Sequence, residues 1–314
     1  MKLALLFAGQ GAQKVGMGRD LYDGCAAFRD TLDQVQDVLD FDLKALMWEG
    51  LEEQLSQTQY TQPAMVAFAA GVVAVLREAG VLPAAAAGLS LGEYSALLAA
   101  GVLDPVTAVE LVACRGRAMA QAVAGRPSAM AAVLGLDRAA LQGACARAAQ
   151  GQVVEIANYN CPGQMVVGGD RDAVDRACAL AKEAGAKRCL PLKVSGPFHT
   201  SLMAPAGEAL GRKLETVPLG EMAYPVYFNC LGGPMGPGDT VPALLRKQVQ
   251  SSVYLEDTLV RMAADGIDTI LEIGPGRVLS GFVKKTVPQL ADRTRGVETA
   301  QELAEALTWL KEEV

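Results

Sequence analysis

Apolar positions along the chain follow two rhythms. Short, mostly apolar runs at 2–7, 226–229 and 269–273 read as strands, the first of them a buried parallel one. Longer stretches with helical spacing cover 20–40, 42–47, 63–79, 94–100, 205–214, 241–249, 255–264 and 299–311. A further helix opens at Asp104-Pro105, where the aspartate suits the N-cap and the proline the first helical position. Between 127 and 194 the texture becomes a compact alternation. It gives a strand over 130–134, a helix over 138–149, strands over 153–157 and 165–167 joined through Asn160-Cys161-Pro162-Gly163, a helix over 172–184 and a strand over 188–194. That order is βαββαβ, the ferredoxin-like arrangement. The expectation is an α/β protein: a large domain over 1–126 and 196–314, with a ferredoxin-like small domain over 127–195 inserted into it.

Composition narrows the function classes. With 51% hydrophobic and 20% charged residues, the 314-residue chain can bury a sizeable core. A net charge of −7 argues against nucleic acid or an anionic membrane as partner, because both call for clustered positive charge. The longest apolar stretch, 63–76, contains Gly71 and reads as too short to span a bilayer. The apolar run at 3–8 falls below signal-peptide length. Seven cysteines, odd in number, widely spaced and without CxxC, suggest neither a disulfide framework nor a zinc site. Reduced thiols, a cytoplasmic location and no metal are expected.

One stretch organises the chemistry. Gly88-Leu89-Ser90-Leu91-Gly92 fits a nucleophile elbow, in which a serine stands at a sharp strand-to-helix turn and flanking glycines leave room for the neighbouring strand and helix. A helix N-terminus there would favour the oxyanion formed when a carbonyl is attacked. In a chain with 33 glycines the pattern alone equally describes an ordinary turn with an N-cap serine. The histidine count shifts the balance. Serine needs an adjacent base, and the chain has one histidine, His199, set in the Gly-Pro loop Ser195-Gly196-Pro197-Phe198-His199. The early glycines, Gly9 and Gly11, do not make a nucleotide site: Lys14 stands where a third glycine would fall, and no Gly-Lys-Ser/Thr closes a P-loop.

Taken together, Gly9-Gln10-Gly11-Ala12-Gln13, the elbow, Cys114-Arg115-Gly116-Arg117, Asn158-Tyr159-Asn160-Cys161-Pro162-Gly163-Gln164, the His199 loop, Arg246-Lys247-Gln248 and Glu272-Ile273-Gly274-Pro275-Gly276 run in an order that resembles the malonyl-CoA:acyl carrier protein transacylases. The resemblance extends from the first strand to about residue 285. It implies an α/β-hydrolase-like large domain, malonyl-CoA and acyl carrier protein as partners, no cofactor, and a Ser90–His199 dyad whose histidine is held by the backbone carbonyl of Gln248. Backbone N–H groups of Gln10 and Leu91 would form the oxyanion hole. Arg115 aligns with the residue that takes the malonyl carboxylate. On a helix Arg115 and Arg117 cannot both face the site. Asn160 and Gln164 either shape the site or merely serve a strand connection. Many family members carry histidine where this chain has Leu89, which removes a polar side chain beside the elbow.

Three other readings compete. A plain serine esterase would share Ser90 and His199 without needing a cation for the acyl tail. A non-catalytic carrier-binding scaffold would need neither residue. A discrete acyltransferase of a polyketide assembly line would look the same in sequence as one serving fatty-acid synthesis. Acidic residues between the serine and the histidine, Asp137, Asp170, Asp172 and Asp175, fall within 127–195 and are expected to lie away from the dyad. Lys187, Arg188, Lys193, Lys284 and Lys285 are candidates for docking an acidic carrier, and the enzyme is expected to be a monomer.

Overall fold

Strand β1 (Leu3–Phe7) is buried at every residue, as a strand paired on both sides must be. The chain then makes α1 (Arg19–Gly24), α2 (Ala26–Gln36), α3 (Leu43–Glu49), the single turn α4 (Glu52–Leu55) and the long α5 (Thr58–Glu78). The computed structural model describes residues 1–312. It corrects the sequence reading in three places here. The helix expected over 20–40 is two helices, because Cys25 between them is extended at φ −126° and ψ 111°. Helix α5 starts at Thr58, so Pro63 lies inside it and denies Gln59 its helical hydrogen bond. At 21 residues α5 is also long and apolar enough to cross a membrane, contrary to the expectation from 63–76. Its place makes it a core helix: 78% of its most apolar window is buried inside the protein.

Next come β2 (Ala85–Gly88), α6 (Gly92–Ala99) and α7 (Pro105–Ala122). Asp104 caps α7, its Oδ1 accepting from Thr107 N–H at 2.9 Å. The middle of the chain gives β3 (Ser128–Leu134), α8 (Arg138–Ala149), β4 (Val154–Cys161), β5 (Gln164–Asp170), α9 (Arg171–Glu183) and β6 (Arg188–Pro191). The remainder forms α10 (Ala204–Leu214), β7 (Val226–Phe228), β8 (Gly233–Pro234), α11 (Val241–Gln248), β9 (Val253–Tyr254), α12 (Leu255–Ala264), β10 (Thr269–Ile273), α13 (Val278–Thr286), β11 (Thr294–Val297) and α14 (Ala300–Glu312). The sequence reading had no place for β8, β9, α13 or β11. The first two are two-residue strands, and β11, Thr-Arg-Gly-Val, lacks an apolar run.

Two sheets result, so the α/β class holds. The first has the order β11-β10-β1-β2-β7-β8 and is parallel except for the β7–β8 pair. The second has the order β6-β3-β5-β4-β9. Its β3, β4, β5 and β6 pair antiparallel, while β9 arrives from the C-terminal third and pairs parallel to β4. Each sheet has its own apolar core. A third, smaller cluster has Met119 from α7, Val123 just after it, Met130 and Val166 from the second sheet, and Phe198.

Backbone packs closely where β2 turns into α6. A Cβ on Gly92 would sit 2.3 Å from the Phe7 carbonyl oxygen, and one on Gly88 2.1 Å from the Gly92 carbonyl carbon. Both obstacles are backbone, which cannot swing aside. Gly92→Ala should therefore cost about 1–3 kcal/mol or more. Gly143→Ala, on α8 with open space around it, should instead be neutral or stabilising by up to about 1 kcal/mol. Chemical denaturation of the two variants checks this, and equal midpoints would contradict it.

Candidate active site

The turn between β2 and α6 holds Ser90 in the left-handed region, at φ 53°. Its Oγ lies 2.6 Å from His199 Nε2. His199 is also left-handed, at φ 61°, and only 4% exposed. The loop behind it is tied by Thr200 Oγ1, which donates to the Pro197 carbonyl at 2.6 Å. His199 Nδ1 lies 2.9 Å from the main-chain oxygen of Gln248, the last residue of α11. A carbonyl only accepts, so Nδ1 carries the proton and Nε2 presents its lone pair to the Ser90 hydroxyl. Burial pushes the imidazole pKa down to about 4, and the nearby Arg115 charge acts in the same direction. The ring is thus a neutral base throughout the physiological range.

Arg115 comes from α7 and is 1% exposed. Its Nη1 donates to Gln62 Oε1 at 2.8 Å, and its Nη2 to Gln248 Oε1 at 3.0 Å and Ser90 Oγ at 3.2 Å. Among the described residues its Nε has no hydrogen-bond partner, and the guanidinium lies 5.3 Å from the Tyr94 ring centroid. All its acceptors are neutral. Burial lowers its pKa from the ordinary value, yet a guanidinium remains charged. The acid nearest in sequence to the elbow, Glu93, is fully buried on α6. Burial lifts its pKa to about 8, which leaves it protonated at neutral pH. Arg115 therefore faces the cavity as a charge without a counter-ion. Arg117, two residues on, is exposed.

Gln248 contributes more than its carbonyl. Its Oε1 accepts from Arg115, and its Nε2 donates to the Ser90 carbonyl at 2.7 Å. A second chain runs from Gln10 Oε1, which accepts from Thr58 Oγ1 at 2.8 Å, through Gln62 Nε2, which donates to Thr58 Oγ1 at 3.0 Å, to Arg115. Among the described residues neither the Gln10 nor the Leu91 main-chain N–H donates to another protein group. Asn160 is buried on β4, and its Oδ1 has no partner among the described residues.

A cavity of about 180 Å³ is lined by Ser90, His199, Arg115, Gln10 and Asn160. A second, of about 260 Å³, shares Gln10, Leu89, Asn160 and Leu192 with it and extends to Gln164 and Phe282. Ser90, His199, Arg115, Gln10, Gln248 and Asn160 thus come together, with Leu91 directly after Ser90, and Gln164 stands at the far end. The four aspartates do not. Asp137 caps α8, Asp170 pairs with Arg126 through two hydrogen bonds of 2.7 and 2.9 Å, and Asp172 and Asp175 are exposed. Sequence reasoning passed over Gln62, Glu93, Asn229 and the Gln248 side chain. Gln62 and Glu93 stand immediately before the apolar helical runs at 63–79 and 94–100, so neither interrupted a run that would have flagged it.

Residues 4–307 match the acyl transferase domain family. The malonyl CoA-acyl carrier protein transacylase of Bacillus subtilis (strain 168) is 41% identical over 313 residues, covering 99% of this chain and 98% of the relative. That of Haemophilus influenzae is 43% identical over 291 residues, covering 92% and 93%. Among solved structures, MCAT from Streptococcus pneumoniae superposes with a TM-score of 0.92 at 44% identity, covering 98% of this chain and all of that one. A malonyl-transacylase solved in complex with its type II PKS acyl carrier protein gives a TM-score of 0.94 at 40% identity, covering 98% and 99%.

The buried imidazole sets a pH test. A depressed pKa keeps the base unprotonated down to about pH 4, so the acid limb of kcat/KM for acylation should fall near that value. A limb near 6.5, the pKa of a free imidazole, would contradict the buried geometry. His199→Ala should lose about 10²–10⁴-fold.

Proposed function

Because the chain belongs to the acyl transferase family and its relatives are malonyl-CoA:acyl carrier protein transacylases, we propose that it carries a malonyl group from malonyl-CoA to the phosphopantetheine thiol of an acyl carrier protein through a malonyl-Ser90 intermediate. The observation that carries the reading is the buried, counter-ion-free Arg115 lying 3.2 Å from Ser90 Oγ. A plain esterase has no use for such a charge. In the proposed cycle Ser90 Oγ attacks the thioester carbonyl as its proton passes to His199 Nε2. The tetrahedral oxyanion is received by the N–H groups of Leu91 and Gln10. Collapse expels the CoA thiolate, which takes the proton from the imidazolium. The carrier thiol then repeats the steps in reverse sense. Arg115 holds the malonyl carboxylate bidentately once it turns from its amide partners. Every role is filled by a group of the chain, and the reading includes no cofactor.

The same reading extends to the architecture. We take residues 1–126 and 196–314 as an α/β-hydrolase-like large domain and 127–195 as a ferredoxin-like small domain. Its support is the elbow after β2 and the strand order β6-β3-β5-β4. A cytoplasmic monomer is the matching state: all seven cysteines are free thiols and one chain supplies the whole site. The pathway is fatty-acid synthesis. A polyketide assembly line is the second reading, favoured by the likeness to the transacylase solved with a type II PKS carrier.

For the carrier, the fold gathers three of the five candidate cations. Arg188 lies opposite Leu134, Leu134 lies opposite Gln164, and Lys285 Nζ donates to Gln164 Oε1 at 3.3 Å. Lys187, beside Arg188, donates its main-chain N–H to Leu134. Gln164, which Lys285 reaches, lines the second cavity, and the exposed Lys193 follows Leu192, which lines both cavities.

Two outcomes test the function. Mass spectrometry of the protein mixed with malonyl-CoA should show a malonyl adduct on Ser90, and an unmodified Ser90 would sink the reading. Arg115→Ala should weaken malonyl transfer by about 2–5 kcal/mol while acetyl transfer is kept or rises; equal losses on both substrates would assign Arg115 to the fold. In a separate assay, the KM for the carrier should climb steeply as salt is raised from about 0.05 to about 0.5 M, and a salt-independent KM would remove the cationic patch from docking.

A further inference from the structure

Asn229 follows β7, outside every motif singled out in the sequence, yet it is 1% exposed and all four of its polar groups are engaged. Its Oδ1 accepts from Ser90 N–H at 2.6 Å and its Nδ2 donates to the Gly88 carbonyl at 2.7 Å. Its main-chain N–H donates to Glu93 Oε2 at 2.5 Å, and its carbonyl accepts from Tyr254 N–H at 2.9 Å. The side chain thus grips the elbow on both sides of Leu89, while the backbone is fixed from two directions. One anchor is a fully buried carboxyl from the first turn of α6; the other is β9 of the second sheet. We propose that Asn229, locked by Glu93, is the positioning residue that holds Ser90 in its left-handed conformation with Oγ on His199.

Each part of the clamp calls for its own residue type. The side chain at 229 must accept from one peptide and donate to another, which a carboxylate cannot do and an amide can. The buried Asn229 N–H needs an acceptor, and among the described residues it bonds to no backbone group. Glu93 supplies it without touching the cavity. The clamp also decides which donors remain for an oxyanion. Ser90 N–H is spent on Asn229, so the free N–H groups of Leu91 and Gln10 are the ones left. Through Tyr254, which pairs with Tyr159 on β4, the nucleophile is tied to the strand that carries Asn158 and Asn160 into the cavity.

The proposal rests on Ser90 being the nucleophile, and the test separates the two. Single-turnover modification of Ser90 is followed by mass spectrometry with malonyl-CoA and, independently of any malonyl recognition, with a fluorophosphonate. Asn229→Ser and Asn229→Ala should lose about 10²-fold in the maximal rate with both reagents, the loss expected for a nucleophile misplaced by about 1 Å, while the malonyl-CoA concentration for half-saturation hardly moves. Glu93→Ala should be slowed in the same way, and Glu93→Gln, which keeps an acceptor, should recover most of the rate. If the alanine variants do not fold, Asn229→Ser and Glu93→Gln carry the test. Wild-type rates in Asn229→Ser, a loss confined to half-saturation, or a Glu93→Gln as slow as Glu93→Ala would overturn the clamp. If wild-type Ser90 takes neither label, the nucleophile reading falls and the clamp with it.

Discussion

The close approach of β1, β2 and the start of α6 is the constraint from which the rest of the structure follows. Three backbone segments meet where no side chain fits, with Gly88 and Gly92 at the contact. The turn this forces lifts Ser90 off the sheet, starts α6 directly beneath it and leaves Leu91 N–H without a partner among the described residues. Every other participant is delivered to that point by an element packed around it. Helix α7 brings Arg115, the end of α11 brings Gln248, and the loop before α10 brings His199. The site's geometry is therefore a property of the sheet's packing more than of any one loop.

Electrostatically, the site is a balance between one buried cation and the groups around it that carry no charge. Burial keeps His199 unprotonated and Glu93 protonated at neutral pH, and the glutamines at 62 and 248 solvate Arg115 without neutralising it. This arrangement is costly for the empty protein and favourable for one filled by an anion. A carboxylate behind the imidazole would have undone it. The main-chain carbonyl of Gln248 orients the ring while adding no negative charge near the place where a malonyl carboxylate would bind.

Much of this was legible in the sequence because it depends on local pattern. The elbow glycines, the sole histidine and the Asp104-Pro105 helix start are short-range signals, and α8 and α12 fall on the expected residues. What escaped depends on tertiary partners. The two residues of β9 are a strand only because β4 is there to pair with them. Likewise α5 runs through Pro63 because burial outweighs the lost hydrogen bond. Asn229 gives no sign in its own neighbourhood that it will meet Ser90, 139 positions away. Glu93 and Gln62 stand at the polar edges of the apolar runs at 94–100 and 63–79, and only their tertiary partners mark them out.

The left-handed backbone at Ser90 and His199 has a consequence for how such a chain evolves. Leaving glycine aside, only Gln150 among the described residues shares that conformation with them. A residue with a Cβ is strained there by about 1–3 kcal/mol, and glycine is not. Mutation drifting toward a more stable protein would find gains at these two positions, which the proposed reaction needs, and would end that reaction as it did so. That serine and histidine stand there, against the preference of the fold, marks them as kept for use. Stability and catalysis are drawn here from the same two torsion angles, and a lineage released from the need for the enzyme would be expected to lose those residues before it lost the fold.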